Sequence, residues 1–217
     1  MRNTFYLFFA FLLFACNSNS EANENTDEPT HSGLPYLGFH DFGVDTIYHT
    51  VPNFALMAQD SSIVKKEMFE GKVHVANFFF TSCPAICPAM IEQMKRLQGN
   101  TSDIEEIKFL SHTIDPERDS IPRLNWYINE KGIDTHNWYF LYGEREYVYD
   151  LGENGYMINA MEDEAAEGGF LHSEHFVLID REGHIRGLYD GTQTTEVDRL
   201  EKDIRKLLKI EYGVETK

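Results

Sequence analysis

Basic residues are scarce in this chain: 19 Lys plus Arg stand against 36 Asp plus Glu, a formal charge of −17. Nucleic acid and anionic lipid headgroups would both repel such a surface, which excludes nucleic-acid binding as a function. The acidic excess serves solubility first, and it suits cations or a basic partner. Long apolar runs are also missing. The longest, Phe5 to Phe14, falls short of the roughly 20 residues that span a bilayer. Cysteine is rare, with three in 217 residues, so a disulfide-stapled scaffold is excluded. All seven prolines lie at or before Pro122, and no internal repeat is present. What is abundant is apolar material, 42% hydrophobic and 13% aromatic, sufficient for one well-buried domain.

The N-terminal run reads as a targeting segment. Arg2 supplies a positive start, Phe5 to Phe14 an h-region, and Leu13-Phe14-Ala15-Cys16 resembles the bacterial lipobox. In that motif the cysteine is acylated and becomes the first mature residue. Residues 1–15 are therefore expected to be a lipoprotein signal peptide, with Cys16 lipidated. Residues 17–33 are polar and acidic, with no apolar side chain larger than Ala22, and cannot offset their ordering entropy. They predict a disordered tether with a mean reach of roughly 23 Å. The folded domain is expected over 34–212, with a short tail over 213–217, held close to a membrane on the extracytoplasmic side of the cell envelope.

Within the domain, the continuous Val/Ala/Phe run Val73 to Phe80 predicts a strand buried on both faces. Cys83 and Cys87 follow, and Pro88 opens a helix whose Met90, Ile91, Met94 and Leu97 share one stripe. A strand is expected over Ile107 to Ile114, a helix from Ser120 to Gly132, and a strand over Trp138 to Tyr142. Phe176–Asp180 and Ile185–Tyr189 predict a hairpin, and Glu196 to Ile210 a closing helix. Val51 to Leu56 is expected to begin an added N-terminal hairpin. This order predicts an α/β sandwich, a mixed central sheet flanked by helices. A cysteine pair between the first central strand and its helix is the thioredoxin-like arrangement.

The lipobox takes one cysteine and leaves two, four positions apart. A disulfide there closes too short a loop to stabilise the fold much, so the pair is better explained by chemistry. At a helix N-terminus Cys87 is expected to favour its thiolate, below the usual value of about 8.5. Two soft sulfurs suit Cu(I), zinc or an iron–sulfur cluster, and an added imidazole suits zinc and both copper states. A structural zinc wants four protein ligands, which two cysteines make difficult. Of nine histidines, His172 and His175 stand out, because they lie in the loop leading into the Phe176 strand, over the cysteines in this fold.

The chain resembles the Sco (SenC) family of copper-binding, thioredoxin-fold proteins of cytochrome c oxidase assembly. Phe79-Phe80-Thr81-Ser82-Cys83-Pro84-Ala85-Ile86-Cys87-Pro88 is similar to its CPxxCP segment, and Asp115-Pro116-Glu117-Arg118-Asp119 to its DPxRD segment. Trp138 to Gly143 resembles the next strand, and His172-Ser173 with Leu178-Ile179-Asp180 and Gly183 the stretch bearing a third ligand. The resemblance spans roughly Pro52 to Ile210. It implies copper, as Cu(I) or Cu(II), on Cys83, Cys87 and His172, delivered to the dinuclear copper site of an oxidase subunit. His175 matches no ligand. Asp115 and Arg118 are read as a turn held by an internal ion pair. The chain departs from the family at Ala85, where an acidic residue is common, and in the turn Asp180-Arg181-Glu182-Gly183.

Two other functions compete: a membrane-anchored thiol–disulfide oxidoreductase using the redox pair Cys83 and Cys87, and a peroxidase with Cys83 as nucleophile. Thioredoxin-type oxidoreductases place a proline before the strand that faces their cysteines. Here no proline precedes Phe176, and His172 stands in that loop, which favours metal. A peroxidase wants a basic residue near its thiolate, and the cysteine loop has none.

Overall fold

The computed structural model describes residues 32–41, 46–158, 160–162 and 170–216, with positions 40, 41, 160–162 and 170–172 as backbone only. Cys16 and most of the expected tether lie outside the described residues. A seven-stranded sheet forms the centre, in the order β11-β10-β5-β6-β7-β3-β4. Its parallel core is β5 (His74–Phe79), β6 (Lys108–Thr113) and β7 (Trp138–Tyr142). Every residue of β5 is buried, as its unbroken apolar run requires. Around this core the strands run antiparallel. β10 (His175–Ile179) and β11 (Ile185–Asp190) extend one side, and β3 (Ala55–Ala58) with β4 (Ile63–Lys65) extends the other. The added N-terminal hairpin thus becomes part of the main sheet, pairing with β7. The whole is the thioredoxin-like mixed α/β sandwich.

Helices α1 (Cys87–Asn100) and α2 (Ile121–Lys131) make the β5–β6 and β6–β7 crossovers, whose right-handed sense puts both on one face. Pro88 and Pro122 sit in their first turns, where a missing N–H costs nothing. Gly132 closes α2 at φ 59°, the left-handed conformation that disfavours a Cβ. The apolar stripe of α1 is buried throughout, and α4 (Thr194–Tyr212) lies beside it, with Arg96 bonded to Asp198 at 2.6 Å. The opposite face is closed by rings: Phe54, Phe69, Phe78, His112 and Tyr156.

Three features go beyond the sequence-based expectation. A short helix α3 (Arg145–Asp150) runs on into a single wide turn over Leu151–Gly155. The strands β1 (Phe39–Asp41) and β2 (Thr46–Tyr48) form one small hairpin, and β8 (Ala160–Glu162) and β9 (Phe170–His172) another. These strands are three residues long, too short for an alternation to show. The described N-terminal segment is docked on the domain: Ser32 is buried, and its N–H and hydroxyl donate to Glu211 at 2.9 and 2.6 Å. Among the described residues no helix is long and apolar enough to cross a membrane.

Candidate metal centre

The loop 80–86 leaves the C-terminal end of β5 and returns the chain into α1. Cys83 N–H donates to the Phe80 carbonyl at 3.2 Å, folding the loop back on the strand end. Cys87 is the first residue of α1. The two sulfurs are within hydrogen-bonding reach of one another, and no disulfide joins them. Cys83 is 8% exposed and Cys87 1%, so the pair is reached from the Cys83 side.

The expected thiolate at Cys87 is not what this geometry supports. The hydrogen bond with Cys83 and then burial push its thiol well up from the ordinary range, and the Asp119 carboxylate adds to this. A helix N-terminus helps a sulfur that faces solvent. It does not outweigh a desolvated site shared with a second thiol. Cys87 thus holds its proton. A soft metal would bind it by displacing protons.

Beneath the loop lies a polar cluster that sequence reasoning missed. The Asp119 carboxylate is fully buried and accepts from the Thr81 N–H (2.9 Å), the Thr81 hydroxyl and the Thr113 hydroxyl (2.6 Å). Arg123 of α2 donates through Nε to the Thr81 hydroxyl oxygen at 2.9 Å and stacks on the half-exposed Trp126 ring at 4.1 Å. A basic residue therefore stands beside the cysteine loop although the loop contains none. The signal was in the sequence: Asp119 closes the same DPxRD segment in which Asp115 and Arg118 were singled out. Those two do form the expected ion pair, at 3.4 Å, with Asp115 buried. Tyr127, also on α2, lies near both sulfurs, and burial first, then those two cysteines, raise its phenol pKa.

His172 ends β9, where its backbone pairs with Ala160. Its side chain lies outside the described residues. The chain placement is nonetheless informative. β10 runs antiparallel to β5 with Val177 opposite Ala76, so it opens, at His175, toward the end of β5 from which the cysteine loop leaves. His175 opens β10 and is engaged locally, its Nδ1 within 2.6 Å of the Ser173 hydroxyl.

Among the described residues one other cluster has metal-capable side chains: Asp180, Glu182 and His184 in the β10–β11 turn. Its two carboxylates are already engaged. Asp180 Oδ1 accepts from the Glu182 and His184 N–H groups at 3.1 and 2.8 Å, and Oδ2 from Arg186 at 3.0 Å. Glu182 accepts from the Tyr212 hydroxyl at 2.6 Å. This is a turn built by carboxylates, with Gly183 at φ 92°.

Comparison with known proteins follows the same lines. A SCO1/SenC family lipoprotein from Bacillus anthracis superposes with TM-score 0.67 at 28% identity, covering 73% of this chain and 95% of that one. BsSco, described as a member of the Sco family of cytochrome c oxidase assembly proteins with a disulfide switch, gives TM-score 0.66 at 26% identity, covering 73% and 93%. A protein of Stutzerimonas stutzeri, described as a candidate copper-binding protein, is 26% identical over 140 residues, 63% of this chain and 67% of its own. The SCO1/SenC family model matches residues 45–209, from the first small hairpin through most of α4. With that match across most of its length, the chain belongs to the SCO1/SenC family.

Proposed function

We propose that this protein binds copper through Cys83, Cys87 and His172 and passes it to a copper-receiving subunit of cytochrome c oxidase. The observation that carries the reading is the pair of free thiols at the rim of the sheet, within reach of one another, with the strand that follows His172 opening toward the same end. Two sulfurs and an imidazole are soft enough for Cu(I) and still acceptable to Cu(II). A site of few ligands, drawn from separate loops, suits hand-over, because each ligand can be exchanged in turn for one from the partner. Support for copper and for the oxidase comes from the relatives: one is described as a candidate copper binder, another as an oxidase assembly protein. The lipobox-like Cys16, and the lipoprotein description of the Bacillus anthracis relative, support an anchor at Cys16 with the domain outside the cytoplasm.

The test is a titration of the reduced protein with Cu(I) against a chromophoric chelator. One copper per chain is expected for the wild type, loss of binding for Cys83→Ser and Cys87→Ser, and weaker binding for His172→Ala. Unchanged affinity in the last variant removes the imidazole from the site. A Cys16→Ala variant is expected in the soluble fraction without acyl label.

One observation favours the oxidoreductase reading as runner-up. Cys83 is the more exposed residue and Cys87 the shielded one, which is the order an attacking and a resolving thiol require. A reduction potential near −270 mV, typical of thioredoxin, would shift the balance to that reading.

A further inference from the structure

We propose that Asp119 and Thr81 form a clamp that keeps Cys83 and Cys87 converged, making Asp119 a positioning residue for disulfide closure and metal capture alike. The metal half of this rests on the copper reading above; the disulfide half does not.

A carboxylate with no exposed surface, such as that of Asp119, is expensive unless its oxygens are satisfied. Here three donors satisfy it, two from Thr81 and one from Thr113. Thr113 ends β6, and its hydroxyl oxygen also accepts from Asp115 N–H at 3.2 Å. Thr81 lies just past the end of β5, two residues before Cys83, and Arg123 ties it to α2. One carboxylate thus joins two adjacent strand ends and a helix directly under the cysteine loop. Bonds to a charged acceptor are roughly twice as strong as neutral ones, so the clamp is stiff.

Activation of the sulfurs does not explain this carboxylate. A negative charge beside two groups that become anionic on binding a metal repels that charge, and Asp119 acts on Cys87 in this sense. Position does explain it. Cys83 itself is tied back to the strand end through its N–H bond to the Phe80 carbonyl at 3.2 Å. Fixing both the N–H and the hydroxyl of Thr81 restricts where Cys83 can point.

Disulfide closure and chelation by two sulfurs both draw on the same sub-population of loop conformers, those with the sulfurs together. If the clamp sets that population, its loss lowers both equilibrium constants by a common factor. In closure the two thiols lose two protons and two electrons to an external disulfide such as oxidised glutathione, and an S–S bond forms. In Cu(I) capture no electron moves and the thiol protons are released.

Thr81→Val removes the hydroxyl bonds at constant shape. It is expected to weaken Cu(I) binding about tenfold and to raise the Cys83–Cys87 reduction potential by the corresponding ~30 mV, measured against glutathione buffers. Thr81→Ser is expected to restore both values. The double variant Thr81→Val/Asp119→Asn should match the more affected single variant in potential, because one clamp is broken once. Near-ultraviolet circular dichroism checks folding, and Thr81→Ala substitutes if the valine variant does not fold. A fall in thermal stability with affinity and potential both unchanged overturns the proposal, as does a change in only one of them when both are measurable. Should the wild type bind no Cu(I) while the potential still shifts and Thr81→Ser still rescues it, the copper reading fails and the clamp on the dithiol stands.

Discussion

His112 lies flat against Phe78, ring centroids 4.7 Å apart and planes 18° from parallel, and neither of its ring nitrogens has a hydrogen-bond partner. His74, on the same face of the neighbouring strand, is buried as well, with the Lys72 backbone as its polar neighbour. The Tyr156 hydroxyl in the same aromatic layer also lacks a hydrogen-bond partner. Burial holds both imidazoles neutral, with pKa values lowered to about 3; Lys66 adds to the effect at His74, and His74 to that at His112.

Stability should therefore fall on acidification well before the carboxylates titrate. Unfolded histidine takes a proton near 6.5 and these two folded ones only near 3. Above 6.5 neither state is protonated and there is no cost. As pH falls from 6.5 towards 3 the unfolded state binds the protons, and stability is lost. At pH 5 the loss is ~2 kcal/mol per imidazole. Urea unfolding at pH 7 and pH 5 is expected to show a steeper decline for the wild type than for His112→Phe, whose ring fits the same aromatic stack. An equal decline in the two would mean that His112 titrates near its ordinary value in the fold.

Arg186 is the second buried charge of consequence. It has no exposed surface and donates to Asp180 (3.0 Å), to both oxygens of Glu211 (2.7 Å each) and to the Leu34 and Pro35 carbonyls, while stacking on Tyr36 at 4.0 Å. Burial alone would push the Glu211 carboxyl up, but the bonds from Arg186 and Ser32 prevail and hold it at about 2. The stability this group supplies is complete above its usual 4.5 and is lost as pH falls towards 2. Arg186→Met should cost about 3–5 kcal/mol, because it strands two carboxylates. It should also release the segment 32–37 that joins the domain to the expected tether. Hydrogen exchange at Leu37 N–H, bonded to the Ile185 carbonyl at 2.8 Å, reads this directly. Protection there that survives the substitution would show that strand pairing alone holds the segment.

How much of this was legible beforehand depends on the range of the interaction. The buried run His74–Phe79, the proline-opened helices and the Gly132 stop are written locally, and each was found within a residue or two. Helix α3 was missed although its cap is visible in the sequence: Glu144 accepts from the Glu146 and Tyr147 N–H groups, an acidic N-cap placed directly after a predicted strand. That Cys83 and Cys87 lie together where the β5 loop enters α1 was legible because their spacing is local. Thr81, Asp119 and Arg123 were not grouped, because what unites them is the parallel pairing of β5 with β6 and the crossover of α2. The expected lowering at Cys87 failed for a related reason. A helix N-terminus can be read from sequence, but the hydrogen bond between the two sulfurs and the depth at which they sit cannot.

The unequal exposure of the two sulfurs gives the last prediction. Cys83, within the loop, presents some surface, and Cys87, at the start of α1, almost none. A small disulfide reagent such as DTNB should therefore meet Cys83 first. In the wild type the mixed disulfide would be resolved at once by Cys87, releasing a second equivalent of thiolate. In Cys87→Ser it should persist on Cys83, and in Cys83→Ser the reaction should be slower by on the order of tenfold, because thiol reactivity follows access and thiolate fraction. Stopped-flow absorbance at 412 nm follows all three proteins, and peptide mapping locates the adduct. Equal rates for the two single variants would mean that the loop opens faster than the reagent arrives. Should the asymmetry hold, the hand-over proposed above would begin with a partner's ligand at Cys83 and end with copper leaving Cys87.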